Sequence, residues 1–154
     1  QEKVVAMIPN AEWEVLRVVW AKGQASSKDI IGVLAQKMDW SESTIKTLIG
    51  RLVEKKILQS RREGRSFIYW TEISEEEANL ANLRTELAKI CQTKQAGLLG
   101  QILAETPMTA QDLQGLQKIL DRKQVLDQVP CNCTPGQCRC QEHVNSPEKE
   151  EVVI

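Results

Sequence analysis

The chain is predicted to be mainly α-helical, with a small β-hairpin in its first half and a cysteine-rich segment near its end. Three observations predict this. Apolar residues recur every three or four positions through most of residues 10–124, the signature of amphipathic helices. The exception, 58–71, is short, basic and closes on a β-branched and aromatic run. Four of the five cysteines fall between Cys131 and Cys140.

Composition narrows the possibilities. Of 154 residues, 42% are hydrophobic, 27% charged and only 4% aromatic, which suits a globular chain with an aliphatic core. The length allows one ordinary domain, or a small domain with an appendage. No run approaches the ~18 apolar residues of a membrane helix, so no membrane partner is expected. No charged-plus-apolar leader is visible at the N-terminus. The net charge of −1 conceals a division. Residues 1–71 hold 12 Lys/Arg against 8 Asp/Glu, whereas residues 72–154 hold 8 against 13. A basic front and an acidic back point to two segregated tasks.

The first helix is expected to start at Asn10, a good N-cap, with Glu12 and Glu14 suiting its positive end. Trp13, Leu16, Val19 and Trp20 repeat at helical spacing, and Gly23 is a stop signal. A second helix starts at Ser26 or Ser27 and carries Ile30, Ile31, Val33, Leu34 and Met38. A third follows the N-cap Ser41. There Ile45, Leu48, Ile49, Leu52 and Val53 form one apolar face, ending near Lys55 and Lys56. Strands are expected over 58–62 and 65–71, joined by Arg62-Glu63-Gly64-Arg65, with Gly64 supplying a positive φ.

Residues 74–124 read as helical again. Ser74 with Glu77, and Thr109 with Asp112, form candidate capping boxes. Leu80, Leu83, Leu87 and Ile90 make a narrow seam suited to helix pairing. Leu98, Leu99, Ile102 and Leu103 form a second amphipathic piece that Pro107 ends, and Leu113, Leu116, Ile119 and Leu120 line one face of a third. The candidate dimerisation residues are Leu80, Leu83, Leu87, Ile90, Leu116, Ile119 and Leu120. The resulting plan is a DNA-binding domain over 8–72, a helical dimerisation region over 73–128, a cysteine hook over 129–141 and a disordered acidic tail over 142–154.

Three helices followed by a hairpin is the order of a winged helix-turn-helix, in which the third helix enters the major groove of double-stranded DNA. Opposite its apolar face lie Ser43, Thr47 and Gly50, flanked by Thr44, Lys46 and Arg51. Lys and Arg neutralise phosphates or read guanine, and Thr donates to phosphate or packs on a thymine methyl. Gly50 weakens a helix interior but lets two backbones approach. Arg61, Arg62 and Arg65 surround the hairpin tip, suited to phosphate or the minor groove.

The sequence Cys131-Asn132-Cys133-Thr134-Pro135-Gly136-Gln137-Cys138-Arg139-Cys140 is C-x-C-x₄-C-x-C. Thr134 to Gln137 suits a type II turn, with Pro at i+1 and Gly at i+2, which folds the two C-x-C arms together. Four thiolates make a soft site for Zn(II), Cu(I) or iron–sulfur chemistry. A metal-sensing site, a structural zinc knot and a pair of disulfides all use these residues. Disulfides need an oxidising compartment, at odds with a DNA reader in the cytoplasm. Cys91 reads as a small buried apolar residue on the face of a pairing helix. His143, the single histidine, reads as solvated, with a role as substitute ligand the alternative.

The run Ser43-Thr44-Ile45-Lys46-Thr47-Leu48-Ile49-Gly50-Arg51-Leu52-Val53 resembles the recognition helix of the penicillinase-repressor family of winged-helix proteins. Ala11-Glu12-Trp13-Glu14-Val15-Leu16 with Val19-Trp20, and the wing ending Tyr69-Trp70-Thr71, are similar to that family's other motifs. The resemblance spans roughly 8–125. It implies a homodimeric repressor with interlocking C-terminal helices on a pseudo-palindromic operator. With Cys131, Cys133, Cys138 and Cys140 after the last helix, the chain resembles the copper-responsive, CopY-type branch. That implies a zinc-bound dimer repressing copper-export genes, and release when Cu(I), delivered by a copper chaperone, displaces zinc. In the β-lactam-responsive branch induction follows cleavage of an Asn-Phe bond. Here the single Phe, Phe67, follows Ser66 and lies in the wing, so that route is not expected.

A copper-storage or copper-delivery thiolate protein, and a redox-sensing repressor closing the same cysteines, are the competing readings. An enzyme is not expected: there is no phosphate-binding Gly loop, no H-E-x-x-H and no plausible nucleophile–base pair.

Overall fold

The computed structural model describes residues 8–140, which fall into two compact units dividing between Thr85 and Glu86. The first unit holds α1 (Asn10–Lys22), β1 (Ala25–Ser26), α2 (Ser27–Met38), α3 (Glu42–Glu54), β2 (Gln59–Glu63), β3 (Ser66–Trp70) and most of α4 (Glu75–Ala88). The second continues through α5 (Gln92–Glu105) and α6 (Ala110–Arg122) into the cysteine-rich segment. No helix among the described residues is long and apolar enough to cross a membrane.

The helix starts follow local chemistry. The hydroxyl of Ser26 accepts the Asp29 amide while the Asp29 carboxylate accepts the Ser26 amide, a complete capping box. These hydrogen bonds, from the Ser26 backbone first and its hydroxyl second, hold the Asp29 carboxyl below the usual carboxylate range. Ser41 accepts the Thr44 amide at the start of α3. At α4, the Ser74 hydroxyl accepts the Glu77 amide. α1 departs from expectation. Pro9 occupies its N-cap position without a side-chain bond, and Asn10 is already helical. Pro9 has no amide hydrogen to place and holds φ at −60°, so it opens the helix itself.

The apolar faces of α1, α2 and α3 meet in one core. Val15, Leu16, Val19, Ile30, Leu34, Ile45, Ile49 and Leu52 are buried, and Ile57 and Leu58 close it below. Glu12 is 1% exposed and lies 2.6 Å from Lys55 Nζ, an ion pair clamping the start of α1 to the end of α3. Trp20 donates from its indole nitrogen to the Ile73 carbonyl and meets Trp13 edge-on at 5.6 Å. Both tryptophans pack beside Ala78 and Ala81, the buried face of α4. Leu80 and Leu83 of the expected seam instead face outward, 45% and 68% exposed.

The sheet has three antiparallel strands in the order β1-β3-β2, one more than the sequence pattern suggests. β1 is only two residues, Ala25 and Ser26, paired with Tyr69 and Ile68, too short to leave an alternating signal. The hairpin register pairs Glu63 with Ser66, so the turn lies at Gly64-Arg65, one residue later than expected. Gly64 has φ +62° at the first central position, where a type II′ hairpin turn requires glycine. Leu58 belongs to the core below the wing, and β2 starts at Gln59.

The back half is three separate helices. The backbone turns at Lys89–Ile90, so Ile90 lies outside the helical seam proposed for it. Gln95 Nε2 donates to the Leu87 and Ile90 carbonyls at 2.9 and 3.0 Å, satisfying groups that the break exposes. Thr109 and Asp112 form the expected capping box of α6. Neither α5 nor α6 buries a single residue.

Candidate nucleic-acid interface and metal centre

α3 turns its inner face wholly into the core, which leaves Ser43, Thr44, Lys46, Thr47, Gly50 and Arg51 all exposed on the outer face. The hydroxyls are partly engaged. Thr47 donates to the Ser43 carbonyl at 2.9 Å, and Ser41 stands 3.1 Å from Ser43 Oγ and 2.8 Å from Thr44 Oγ1. Each retains acceptor capacity. Lys46 pairs with Glu42 one turn earlier at 2.8 Å, an exposed pair that is easily exchanged. A Cβ placed on Gly50 would meet nothing within 4 Å. No packing inside the chain therefore demands glycine there.

In the wing the three arginines differ. Arg61 lies over Trp70 at 5.4 Å, donates to Gln24 at 2.8 Å and is held at the base of the hairpin. Arg62 donates to the Gly64 carbonyl at the tip. Arg65 is exposed beside it, with no salt bridge among the described residues. Between α3 and the wing runs a groove lined by Lys46, Gly50, Ser60, Phe67 and Tyr69. Phe67 is 46% exposed and stacked on Tyr69, an aromatic surface that the β-strand pattern alone does not mark.

The second unit carries the thiol cluster. Gln137 donates its amide to the Thr134 carbonyl at 3.0 Å and Gly136 has φ +94°, the geometry of the expected type II turn. The turn brings Cys131 and Cys138 to 3.3 Å. Cys91, expected on a helix face, instead occupies the N-cap position of α5 and joins the cluster. Its sulfur lies 3.6 Å from Cys131 and 3.5 Å from Cys140. The sulfurs of Cys91, Cys131, Cys138 and Cys140 all lie within 4.8 Å of one another. Cys133 is half-buried beside this set. The signal that could have marked Cys91 is the break at Lys89–Ile90, which its apolar spacing concealed. His143 and the acidic tail lie outside the described residues.

The cluster is electrostatically uneven. The Thr93 hydroxyl and then the Thr93 amide draw the Cys91 thiol down to about 6, with further donation from Cys140 and Cys131. An α5 N-terminus favours the same anion. The Cys133 thiol is pushed up, first by Cys91 and then by burial. For Cys140 the Thr93 hydroxyl pulls down, but Cys91, burial and Cys138 together prevail and the thiol stays high. For Cys131 the Cys133 amide pulls down, and burial with the neighbouring thiols outweighs it.

This donor set fits a soft metal. Zinc bonded to four sulfurs at about 2.3 Å needs sulfur–sulfur separations of about 3.8 Å. Three of the six edges, at 3.3, 3.5 and 3.6 Å, lie just below that value, and all six lie within 4.8 Å. Small outward movements of the thiolates complete the tetrahedron.

Residues 8–122 match the family model for the penicillinase repressor. A protein of Latilactobacillus sakei, described as an uncharacterized 16.5 kDa protein in the ptsI 3′ region, is 39% identical over 146 residues, covering 94% of this chain and 95% of its own. The methicillin resistance regulatory protein MecI of Mammaliicoccus sciuri is 28% identical over 116 residues, 75% of this chain and 94% of its own. Among solved structures, the CopR repressor shares 42% identity across 44% of this chain and 97% of its own, with a TM-score of 0.39.

Proposed function

The chain belongs to the penicillinase repressor family, DNA-binding transcriptional repressors that are not enzymes, and we propose that it is a cytoplasmic copper-responsive member. In this reading a zinc-loaded homodimer holds the operator of copper-export genes, and Cu(I), handed over by a copper chaperone, replaces zinc at the cysteine hook and lowers operator affinity. The observation that carries the reading is the convergence of three of the hook's thiols, Cys131, Cys138 and Cys140, with Cys91 on one small volume.

α3 lies with Ser43, Thr44, Lys46, Thr47, Gly50 and Arg51 toward the bases and flanking phosphates, while Arg62 and Arg65 at the wing tip reach the neighbouring backbone. Arg61, braced by Trp70 and Gln24, sets the wing's pitch and meets phosphate with its remaining donors. The apolar faces of α4 and α6 pair with a second copy through Leu80, Leu83, Leu87, Leu116, Ile119 and Leu120, with Ile90 beside them in the turn after α4.

Cys131, Cys133, Cys138 and Cys140 are the soft donors that the hook offers to incoming metal. Bound zinc supplies a closed tetrahedral constraint, whereas Cu(I) accepts fewer thiolates per ion. The same thiolates therefore favour two local folds, and each fold favours a different dimer. A difference of about 3 kcal/mol between them changes operator affinity more than 100-fold.

Fluorescence anisotropy of reduced protein on a labelled operator, in zinc and then with Cu(I) added, tests this. Tight binding in zinc and release by Cu(I) support it. Binding of Cu(I) without release refutes the switch and favours copper storage or delivery. The 3.3 Å approach of Cys131 and Cys138 favours one further reading, closure as disulfides. Release by a metal-free oxidant, reversed by reductant, identifies that case.

A further inference from the structure

The hook supplies four cysteines, yet four is not the number of thiols the fold collects. Cys91 enters from the start of α5, 40 residues earlier in the chain than Cys131. It is 8% exposed, the most buried of the five. At the N-cap of α5 its sulfur meets Thr93 in the first turn and the hook's Cys131 and Cys140 at once. The approach is built rather than incidental. The Gln92 amide donates to Asn132 Oδ1 at 3.2 Å, fastening the hook's first arm to the first turn of α5. Thr93 Oγ1 lies 3.1 Å from Cys91 and 3.5 Å from Cys140, bridging the two. Gln95 holds the backbone break open behind them.

The geometry does not select the four hook cysteines as the closed set. It selects Cys91, Cys131, Cys138 and Cys140. Cys133 stands outside that set and lines an open hollow with Lys89, Ile90, Asn132, Gln137 and the more deeply buried Cys91.

We infer that the resident zinc site is formed by Cys91, Cys131, Cys138 and Cys140, with Cys133 as a fifth, spare thiol at its edge. This deepens the metal-sensing reading and rests on it. Cys91 then ties the tail to the start of α5 whenever zinc is bound. Cys133 offers an incoming soft ion its first sulfur without unseating a ligand.

The test uses the full chain, with Co(II) as the spectroscopic probe and zinc affinity measured against a competing chelator. Cys91→Ser is a mild change for the fold, because Ser is a preferred N-cap. It is expected to shift the cobalt bands toward a three-sulfur site and to weaken zinc by at least about tenfold. Cys133→Ser is expected to keep the four-sulfur cobalt spectrum and zinc affinity within about twofold. A four-sulfur spectrum surviving in Cys91→Ser, or lost in Cys133→Ser, overturns the assignment and leaves the hook as its own site. A second measurement needs no variant. N-ethylmaleimide applied to zinc-loaded wild-type protein should label Cys133 and spare Cys91, and labelling of Cys91 overturns the inference. Should the wild-type chain take up neither zinc nor cobalt through sulfur, the metal-sensing reading itself fails, an outcome distinct from a hook-only site.

Discussion

Replacing Ile119 by Ser tests whether the bare face of α6 is a dimer contact. Ile119 is 64% exposed within one chain, next to Leu120 at 61%. Fully burying an Ile side chain contributes about 1.5–3 kcal/mol, so covering the exposed two-thirds contributes about 1–2 kcal/mol. In a two-fold interface the substitution occurs twice, giving about 2–4 kcal/mol per dimer. At a factor of ten per 1.4 kcal/mol, the dimer dissociation constant should rise by about thirtyfold to several hundredfold. The helix itself should survive. Ser and Ile have similar helix propensities, and the Thr109–Asp112 capping box at the helix start ends seven residues before Ile119. Sedimentation velocity over a dilution series reads the dissociation constant, and circular dichroism checks the helix content. Affinity for a full operator should fall while affinity for a half-operator stays level, because the reading unit is untouched. A dissociation constant within about twofold of wild type refutes the placement of Ile119 in the interface.

Arg51→Glu should abolish operator binding while leaving cobalt uptake at the thiols unchanged, which separates a repressor from a copper-storage protein. Gly50→Ala should raise the melting temperature slightly, since the added methyl meets nothing and Ala is favoured over Gly by about 1 kcal/mol in a helix. The same variant should weaken operator binding in anisotropy if α3 lies backbone-close to DNA. Lys55→Ala leaves the buried Glu12 carboxylate without its partner and should cost about 1–3 kcal/mol in urea unfolding, less than a fully buried pair because Lys55 is 42% exposed. Acid should act through the capping boxes. The Asp29 carboxyl is lowered in the fold by the backbone and then the hydroxyl of Ser26. Its stabilisation is therefore complete above the ordinary carboxylate range and is lost as pH falls through the lowered folded value. Wild type should exceed Asp29→Asn in thermal stability at neutral pH, and the difference should shrink in acid.

Much of this was legible in the sequence because period and capping act locally. The apolar spacing of Ile45, Leu48, Ile49 and Leu52 determines which side of α3 is buried and so which residues are offered outward. Ser26, Ser41 and Thr109 declare their helix starts chemically. The type II turn at Thr134–Gln137 follows from Pro and Gly at adjacent positions. What escaped was non-local. β1 is two residues recruited by β3, with no pattern of its own. The break before Cys91 interrupts a continuous apolar rhythm, and Gln95 sustains it by bonding carbonyls across the gap. Cys91 looked like one more small apolar residue because its partners lie 40 and 49 positions away.

That separation has an energetic consequence that can be measured. A metal bridging Cys131 and Cys138 closes a loop between residues 7 apart, whereas one bridging Cys91 and Cys131 spans 40. Treated as cross-links on the unfolded chain, the two closures remove about 2.4 and about 3.9 kcal/mol of conformational freedom at 25 °C. The larger loop also contains the whole of α5 and α6, neither of which has a fully buried residue within the chain. Zinc held by Cys91 should therefore slow amide hydrogen exchange across 92–122. Zinc held by the hook alone should slow it only around 131–140. Exchange followed by mass spectrometry, on protein dilute enough to be monomeric, distinguishes the two. Protection of α5 that appears on adding zinc to wild type and vanishes in Cys91→Ser is the expected result. Equal protection in both proteins shows that the metal acts on the tail without reaching the helices, and coupling to the dimer must then run by another route.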